Sequence, residues 1–322
     1  MSGKKCYSVF AEESFAELAK DLHNLHPERF TYFNTSWGKF PDGTDNITLE
    51  GFQPKNLISG THVLFLASFH NNSVTLSQFS VLIMLLESFI ESFTIVLPFY
   101  PVGTMDRVEI EGRVATANTY AVLLSSLPNC GKPNRLMIYD IHALQERFYF
   151  HGPTICSLHS TIPLLLARLQ QTNITTIVFP DDGAAKRFGS MFPSNYDIII
   201  CGKVRDGARR MIKIADGDPV GKNVVIVDDL VQSGGTLQEA AEALRQHGAL
   251  EISAFVAHGV FPNSCWQRFC RATAAEKSKV VFQKFWVTNS IPSVTNHITR
   301  DDVFEVLDLL PQLVEDIDMF ER

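Results

Sequence analysis

Residues 224–237 read Val-Val-Ile-Val-Asp-Asp-Leu-Val-Gln-Ser-Gly-Gly-Thr-Leu, and the reading of this stretch decides the fold. Val224, Val225, Ile226 and Val227 form an unbroken β-branched run, the pattern of a strand covered on both faces. The strand delivers two carboxylates, Asp228 and Asp229, to a loop with paired glycines. A helical pattern begins near Thr236. Gly234 and Gly235 let backbone N–H groups approach an anion closely. A helix N-terminus adds free donors and a partial positive charge. Ser233 and Thr236 add hydroxyls, and Asp228 and Asp229 can hold ribose hydroxyls or Mg²⁺. The sum suits a sugar carrying a 5-phosphate; the plain alternative is a surface turn between strand and helix. Just upstream, Gly217-Asp218-Pro219-Val220-Gly221-Lys222-Asn223 imitates a Walker phosphate loop. It is one residue short between its glycines, ends in Asn and precedes a strand rather than a helix, so it is rejected.

Outward from this stretch, apolar runs rich in β-branched or aromatic residues recur at 62–68, 94–99, 135–140, 176–180, 197–203, 251–258 and 280–288. Helical patterns alternate with them at 76–91, 114–125, 162–171, 236–247 and 304–320. Such alternation predicts an α/β fold with mainly parallel sheets, whose functional residues gather past the carboxyl ends of strands. Several runs do end in polar groups: Asp140, Asp181-Asp182, Lys203 with Arg205, Asp228-Asp229 and His258. The polar, Pro-bearing stretch 151–163 reads as a domain junction.

The chain has 322 residues, enough for two domains, with 45% hydrophobic and 20% charged residues, an ordinary globular balance. A net charge of −7 gives no footprint for nucleic acid. The six cysteines form no CxxC pair and read as free thiols of a reducing, cytoplasmic compartment. No signal peptide follows Met1. The most membrane-like stretch, 76–93, is interrupted by Gln78, Glu87 and Glu91 and reads as a buried helix rather than a span.

Further motifs extend along the chain. They are Phe40-Pro41-Asp42-Gly43, Asp140-Ile141-His142-Ala143, Pro180-Asp181-Asp182-Gly183-Ala184-Ala185-Lys186-Arg187, Lys203-Val204-Arg205, His258-Gly259-Val260-Phe261 and Thr288-Asn289-Ser290-Ile291-Pro292. From about Phe40 onward this ordered series resembles the ribose-phosphate diphosphokinases (phosphoribosyl-pyrophosphate synthetases). The 224–237 stretch resembles the sugar-phosphate motif of the type I phosphoribosyltransferase fold. The resemblance implies two tandem domains of that fold, each a mainly parallel sheet flanked by helices. Their expected extents are 1–157 and 158–302, with a C-terminal helix of about 303–322 packing back on the first. It implies transfer of the β,γ-diphosphate of Mg-ATP to the 1-hydroxyl of ribose 5-phosphate, giving phosphoribosyl pyrophosphate and AMP.

The same resemblance implies roles. Lys203 and Arg205 are expected to be catalytic, two cations at i and i+2 of an extended segment that clamp the transferring group. The plain alternative is a solvated charged edge continued by Arg209, Arg210 and Lys213. Asp228, Asp229, Gln232, Ser233, Gly234, Gly235 and Thr236 are expected to hold ribose 5-phosphate. Phe40, Asp42, Asp106, Arg107, His142, Asp182 and Lys186 are expected at ATP, and His142 and Asp181 at Mg²⁺. Alone, His142 reads as a packed histidine; its place after a strand-ending Asp and the motif match favour a ligand. Lys186 and Arg187 attract phosphate or merely cap a helix. The partners implied are ATP or another nucleoside triphosphate, ribose 5-phosphate and further copies of the chain, with Phe40 and Asp42 serving a neighbour; no nucleic acid or membrane is implied.

Four positions depart from the usual family pattern. Gln232 stands where an Asp is usual in the sugar loop. Thr104-Met105-Asp106 replaces an Arg-Gln-Asp segment, which leaves Arg107 or Arg113 to substitute for the lost Arg. Thr44 stands where an acid is usual, and Asp182 where a small residue is common. Together with the run Asp140-Ile141-His142-Ala143-Leu144-Gln145-Glu146-Arg147-Phe148-Tyr149-Phe150, these resemble the plant-type second class. That class implies less dependence on inorganic phosphate and a broader choice of nucleotide donor. The rival expectations are a non-catalytic regulatory homologue that binds active subunits and a phosphoribosyltransferase.

Overall fold

The structure is a computed structural model that describes residues 4–206, 209–276, 279–298 and 303–320; for 203–206, 209–211, 275, 276 and 320 it describes the backbone. The chain divides into two compact units, Met1–Ser160 with Leu310–Arg322, and Thr161–Leu309. In the first unit the order is β1 (Tyr7–Ala11), α1 (Ala16–Leu25), β2 (Phe30–Tyr32), β3 (Thr35–Lys39), β4 (Asp45–Leu49), β5 (His62–Leu66), α2 (Asn72–Leu86), β6 (Ser92–Leu97), α3 (Thr116–Ser125), β7 (Asn134–Tyr139) and β8 (Thr154–His159). The second unit runs α4 (Ile162–Leu169), β9 (Thr176–Phe179), α5 (Asp182–Phe188), β10 (Asp197–Asp206), β11 (Arg209–Asp216), β12 (Asn223–Val231), α6 (Gly235–Gln246), β13 (Glu251–Gly259), α7 (Arg271–Glu276), β14 (Phe285–Thr288), α8 (Pro292–Thr295) and β15 (Phe304–Leu307). Finally α9 (Leu310–Phe320) belongs to the first unit.

The first unit's sheet is wholly parallel in the order β2-β1-β5-β6-β7-β8, and β3 and β4 form a separate antiparallel hairpin. The second sheet has the order β11-β10-β9-β12-β13-β14-β15, parallel except for β10 with β11. Strand β12 shows why its sequence is continuously apolar. Val224 and Ile226 pack into one core cluster, and Val225 and Val227 into another on the opposite face. Its neighbours β9 and β13 place its carboxyl end near the middle of the rim, where parallel α/β sheets carry their sites.

Three expectations need correction. Residues 304–320 are not one helix: β15 pairs with β14 in register Phe285↔Phe304, and α9 starts only at Leu310. Apolar residues at 304, 307, 310, 313 and 317 imitate helical spacing, but β15 is drawn into the sheet edge. The stretch 151–163 is not only a junction, because it contains β8, the edge strand of the first sheet. Its polar residues fit an edge covered less fully than the centre. The stretch 76–93 is not one buried helix. Within it α2 exposes Leu76, Ile83 and Met84 and buries Gln78, whose amide exchanges hydrogen bonds with the Ser68 backbone at 3.0 and 2.6 Å. Among the described residues no helix is long and apolar enough to cross a membrane. The 217–223 look-alike forms the turn before β12, with Gly217 and Gly221 at φ +90° and +69°.

Candidate functional site

After β12 the backbone turns through Gly234, at φ 76° and ψ 17°, into α6. Two forces fix that turn. Positive φ favours glycine, and Phe269 fills the space behind: a Cβ on Gly234 would stand 2.1 Å from its Cζ. Phe269 is fully buried among Phe261, Phe282 and Phe285, with centroids 5.1–6.2 Å away. The same turn, Pro262–Phe269, holds the loop's carbonyls. Arg268 Nη1 donates to the Ser233 oxygen at 2.6 Å, and Cys265 Sγ donates to the Gln232 oxygen at 3.2 Å. With their carbonyls tied back, the loop and the first turn of α6 are free to offer amides forward, as an anion site requires.

In front lies a cleft of about 440 Å³ lined by Asp228, the segment 230–237 and Glu239. Six of the seven residues expected to hold ribose 5-phosphate therefore meet in one cleft: Asp228, Gln232, Ser233, Gly234, Gly235 and Thr236. Asp229 does not line it. It is buried, and its Oδ1 accepts from the Leu230 amide at 2.8 Å. Sequence reasoning missed Glu239, which adds a carboxylate to the cleft, and also Cys265, Arg268 and Phe269, which set the loop from more than thirty residues away.

Burial pushes the Asp228 carboxyl well above the ordinary range, and the neighbouring carboxylates of Asp229 and Asp181 push it further. Asp181 also caps α5, its Oδ1 accepting from the Ala184 amide at 3.1 Å. Asp228 and Glu239 bring two carboxylates to the cleft itself. Mg²⁺ takes one or two carboxylates and completes its shell with water and phosphate oxygens, so this donor set fits it. Among the described residues no three His, Cys, Asp or Glu form a ready-made metal cage.

The raised Asp228 pKa has a consequence for stability. A carboxyl raised in the folded state contributes stability fully below its unfolded pKa, and that contribution is lost as pH rises through the folded value. Asp228→Asn removes the penalty. In metal-free buffer its thermal midpoint should therefore exceed that of the parent at pH 7–8, with the difference shrinking towards pH 4. A variant less stable than the parent at neutral pH, with the gap closing in acid, would reverse the assigned sign.

On α5, Asp182 and Lys186 are exposed and form an ion pair with each other. Lys203 and Arg205 belong to β10, their backbones registered with Ile212 and Arg210 of β11; their side chains lie outside the described residues. In the first unit Phe40 and Asp42 occupy the tip of the β3–β4 hairpin. Phe40 is 51% exposed, and Asp42 accepts from the Thr44 amide at 3.0 Å and hydroxyl at 2.6 Å, which lowers its pKa. Asp106 is buried and Arg107 exposed, with Nε 3.3 Å from Asp106 Oδ1. His142 is exposed beyond β7, following Asp140 at φ +38°. The 103–106 turn packs against the 142–149 segment: a Cβ on Gly103 would stand 3.4 Å from His142 Cβ, and Tyr149 Oη donates to the Asp106 oxygen at 2.6 Å. His258 is buried as a brace, its Nδ1 2.9 Å from Ser290 Oγ.

Against known proteins, residues 168–282 match the phosphoribosyl transferase domain. Ribose-phosphate pyrophosphokinase 4 of Oryza sativa subsp. japonica is 44% identical over 313 residues, covering 96% of this chain and 93% of the relative. The chain belongs to the ribose-phosphate pyrophosphokinase family. The Arabidopsis thaliana relative of the same name is 43% identical, covering 97% and 92%. Ribose-phosphate pyrophosphokinase 2 of Saccharomyces cerevisiae is 28% identical, covering 71% and 68%. Within the family this chain is thus of the plant-like kind. The fold agrees with the crystal structure of phosphoribosylpyrophosphate synthetase from Mycobacterium smegmatis, at TM-score 0.78 and 22% identity, covering 98% and 99%.

Proposed function

We propose that this family member transfers the β,γ-diphosphate of ATP, or another nucleoside triphosphate, to the 1-hydroxyl of ribose 5-phosphate. The observation that carries the reading is the cleft after β12, where Gly234 is locked against Phe269 and a loop of amides and hydroxyls faces Asp228. The 5-phosphate accepts from the 232–236 segment, and Asp228 fixes the sugar end, with Asp229 buried behind it. The 1-hydroxyl attacks the β-phosphorus and loses its proton, the new O–P bond forms, and the bond from the β-phosphorus to the α-phosphate oxygen breaks as AMP leaves. There is little covalent work for the protein, so positioning and cations decide the rate. Lys203 and Arg205 meet the charge on the transferring group. Mg²⁺ would neutralise phosphate charge when bound, with Asp181 as its expected protein partner in the second unit. Asp106, Arg107, His142, Asp182 and Lys186 belong to the nucleotide side.

The exposed Phe40 at the hairpin tip supports a homo-oligomer in which Phe40 and Asp42 serve a neighbouring chain. The altered Thr104-Met105-Asp106 segment is consistent with a broader nucleotide choice and less dependence on inorganic phosphate. The free thiols support a reducing, cytoplasmic setting.

The test is AMP release from Mg-nucleotide with and without ribose 5-phosphate, and with and without inorganic phosphate. Sugar-dependent AMP is expected, without a phosphate requirement, and chelating Mg²⁺ should abolish it. No AMP from a folded protein with any nucleoside triphosphate would overturn the enzyme and favour the regulatory homologue.

A further inference from the structure

A second cavity, of about 280 Å³, lies in the first unit at the amino ends of β6, β7 and β8. His142 and Asp140 follow the carboxyl end of β7, at the opposite edge of the same sheet. The lining holds three cations, Lys5, Lys132 and Arg135, with three hydroxyls, Ser92, Thr94 and Ser157. It holds no carboxylate, in a chain whose net charge is −7.

Strand register explains how these groups meet. Arg135 pairs with Thr94 on one side and Ile155 on the other, so the three share a face. Ser92 and Ser157 are two residues from Thr94 and Ile155 along their strands and lie on that same face. Farther along it, towards the carboxyl ends, His159 lies beside α9, with Nδ1 3.3 Å from Asp316. The carboxyl half is covered by α9, while the amino half opens into the cavity, where Ile155 is 59% exposed. A parallel sheet is ordinarily covered on both faces, and here the uncovered part carries cations and hydroxyls beside apolar side chains. Lys132 forms an ion pair with Glu91, but that pair is exposed, and such pairs hold their geometry weakly.

We propose that this cavity is a second anion site, binding a small phosphate-bearing ligand independently of the cleft after β12. A guanidinium matches two phosphate oxygens at once, and lysines and hydroxyls supply further donors. Tyr7, Phe93 and Pro133 leave an apolar side to the cavity, which gives an organic body room beside the anion. Inorganic phosphate and a phosphate ester share the chemistry that the cations read.

The test titrates the full-length protein by calorimetry at low ionic strength. The two probes are inorganic phosphate and AMP. The variants are R135A/K132A and the charge-keeping R135K/K132R. One binding event in the parent is expected to weaken at least about tenfold in the alanine pair and to survive in the charge-keeping pair, with turnover unchanged in both. Loss of an inorganic phosphate event assigns the site to the anion alone; loss confined to AMP assigns it to the ester. Isotherms of the alanine pair that match the parent for both probes would overturn the site. Equal loss in the charge-keeping pair would overturn the electrostatic basis. Because turnover is read separately, failure here leaves the proposed reaction untouched.

Discussion

Gly234→Ala is expected to lower kcat/KM for ribose 5-phosphate by about 100-fold, the order that a 1 Å misplacement at a reacting site costs. Two independent costs combine. At φ +76° a Cβ meets the following carbonyl, which costs about 1–2 kcal/mol. The Cβ would also stand 2.1 and 2.7 Å from two ring carbons of Phe269. That ring is fully buried in an aromatic cluster and has nowhere to go, so the loop must move instead. Its amides then leave their positions around the 5-phosphate, and the carbonyl contacts from Arg268 and Cys265 are strained as well. Gly235→Ala is the control for folding, since nothing lies within 4 Å of its Cβ; its thermal midpoint should stay near the parent's while that of Gly234→Ala falls. Phe269→Leu removes the offending ring edge, so adding it to Gly234→Ala should restore part of kcat/KM while leaving the φ penalty. An alanine variant with parental kcat/KM would show that the turn does not position the sugar phosphate.

How much of this could be read in the sequence depended on the range of the interactions. Strand β12, its two carboxylates and the loop were legible because each leaves a local signature: a doubly covered apolar run, then glycines where the backbone must turn. The clamp behind the loop was not legible. Arg268 and Phe269 reach Ser233 and Gly234 across more than thirty residues of chain, and nothing in Trp266-Gln267-Arg268-Phe269 announces a contact with a carbonyl or a glycine. Asp181 shows a second limit. Its place at a strand end suggested a metal ligand, yet its side chain also caps α5, a role that short acidic residues take up wherever a helix begins. Periodicity failed at residues 304–320, where apolar residues three apart span a strand and a helix that belong to different units. The basic cavity of the first unit was invisible for a related reason. Lys5, Ser92, Lys132, Arg135 and Ser157 come from separated segments, and only strand register gathers them.

Lys203→Ala is expected to lower kcat by about 10²–10³-fold, the cost of removing one donor that meets transition-state charge, with KM for both substrates changed by no more than a few-fold. The backbone gives the reason to look there. Strand β10 pairs with β9 only from Asp197 to Ile200, yet its ladder with β11 continues to Asp206. Residues 201–206 therefore run on past the end of β9 in a two-stranded ribbon, a form with little independent stability. Such an arm can bring cations to a transferring phosphoryl group and withdraw them for product release. Because its cations are needed while charge shifts between oxygens, their loss should appear in kcat rather than KM. Arg205→Ala should behave alike, and the double variant should be little worse than either single one, since two groups that clamp one species act as a unit. Losses that fall equally on kcat and KM, or that simply multiply in the double variant, would mean that the two residues hold substrate separately, and the clamp would have to be abandoned.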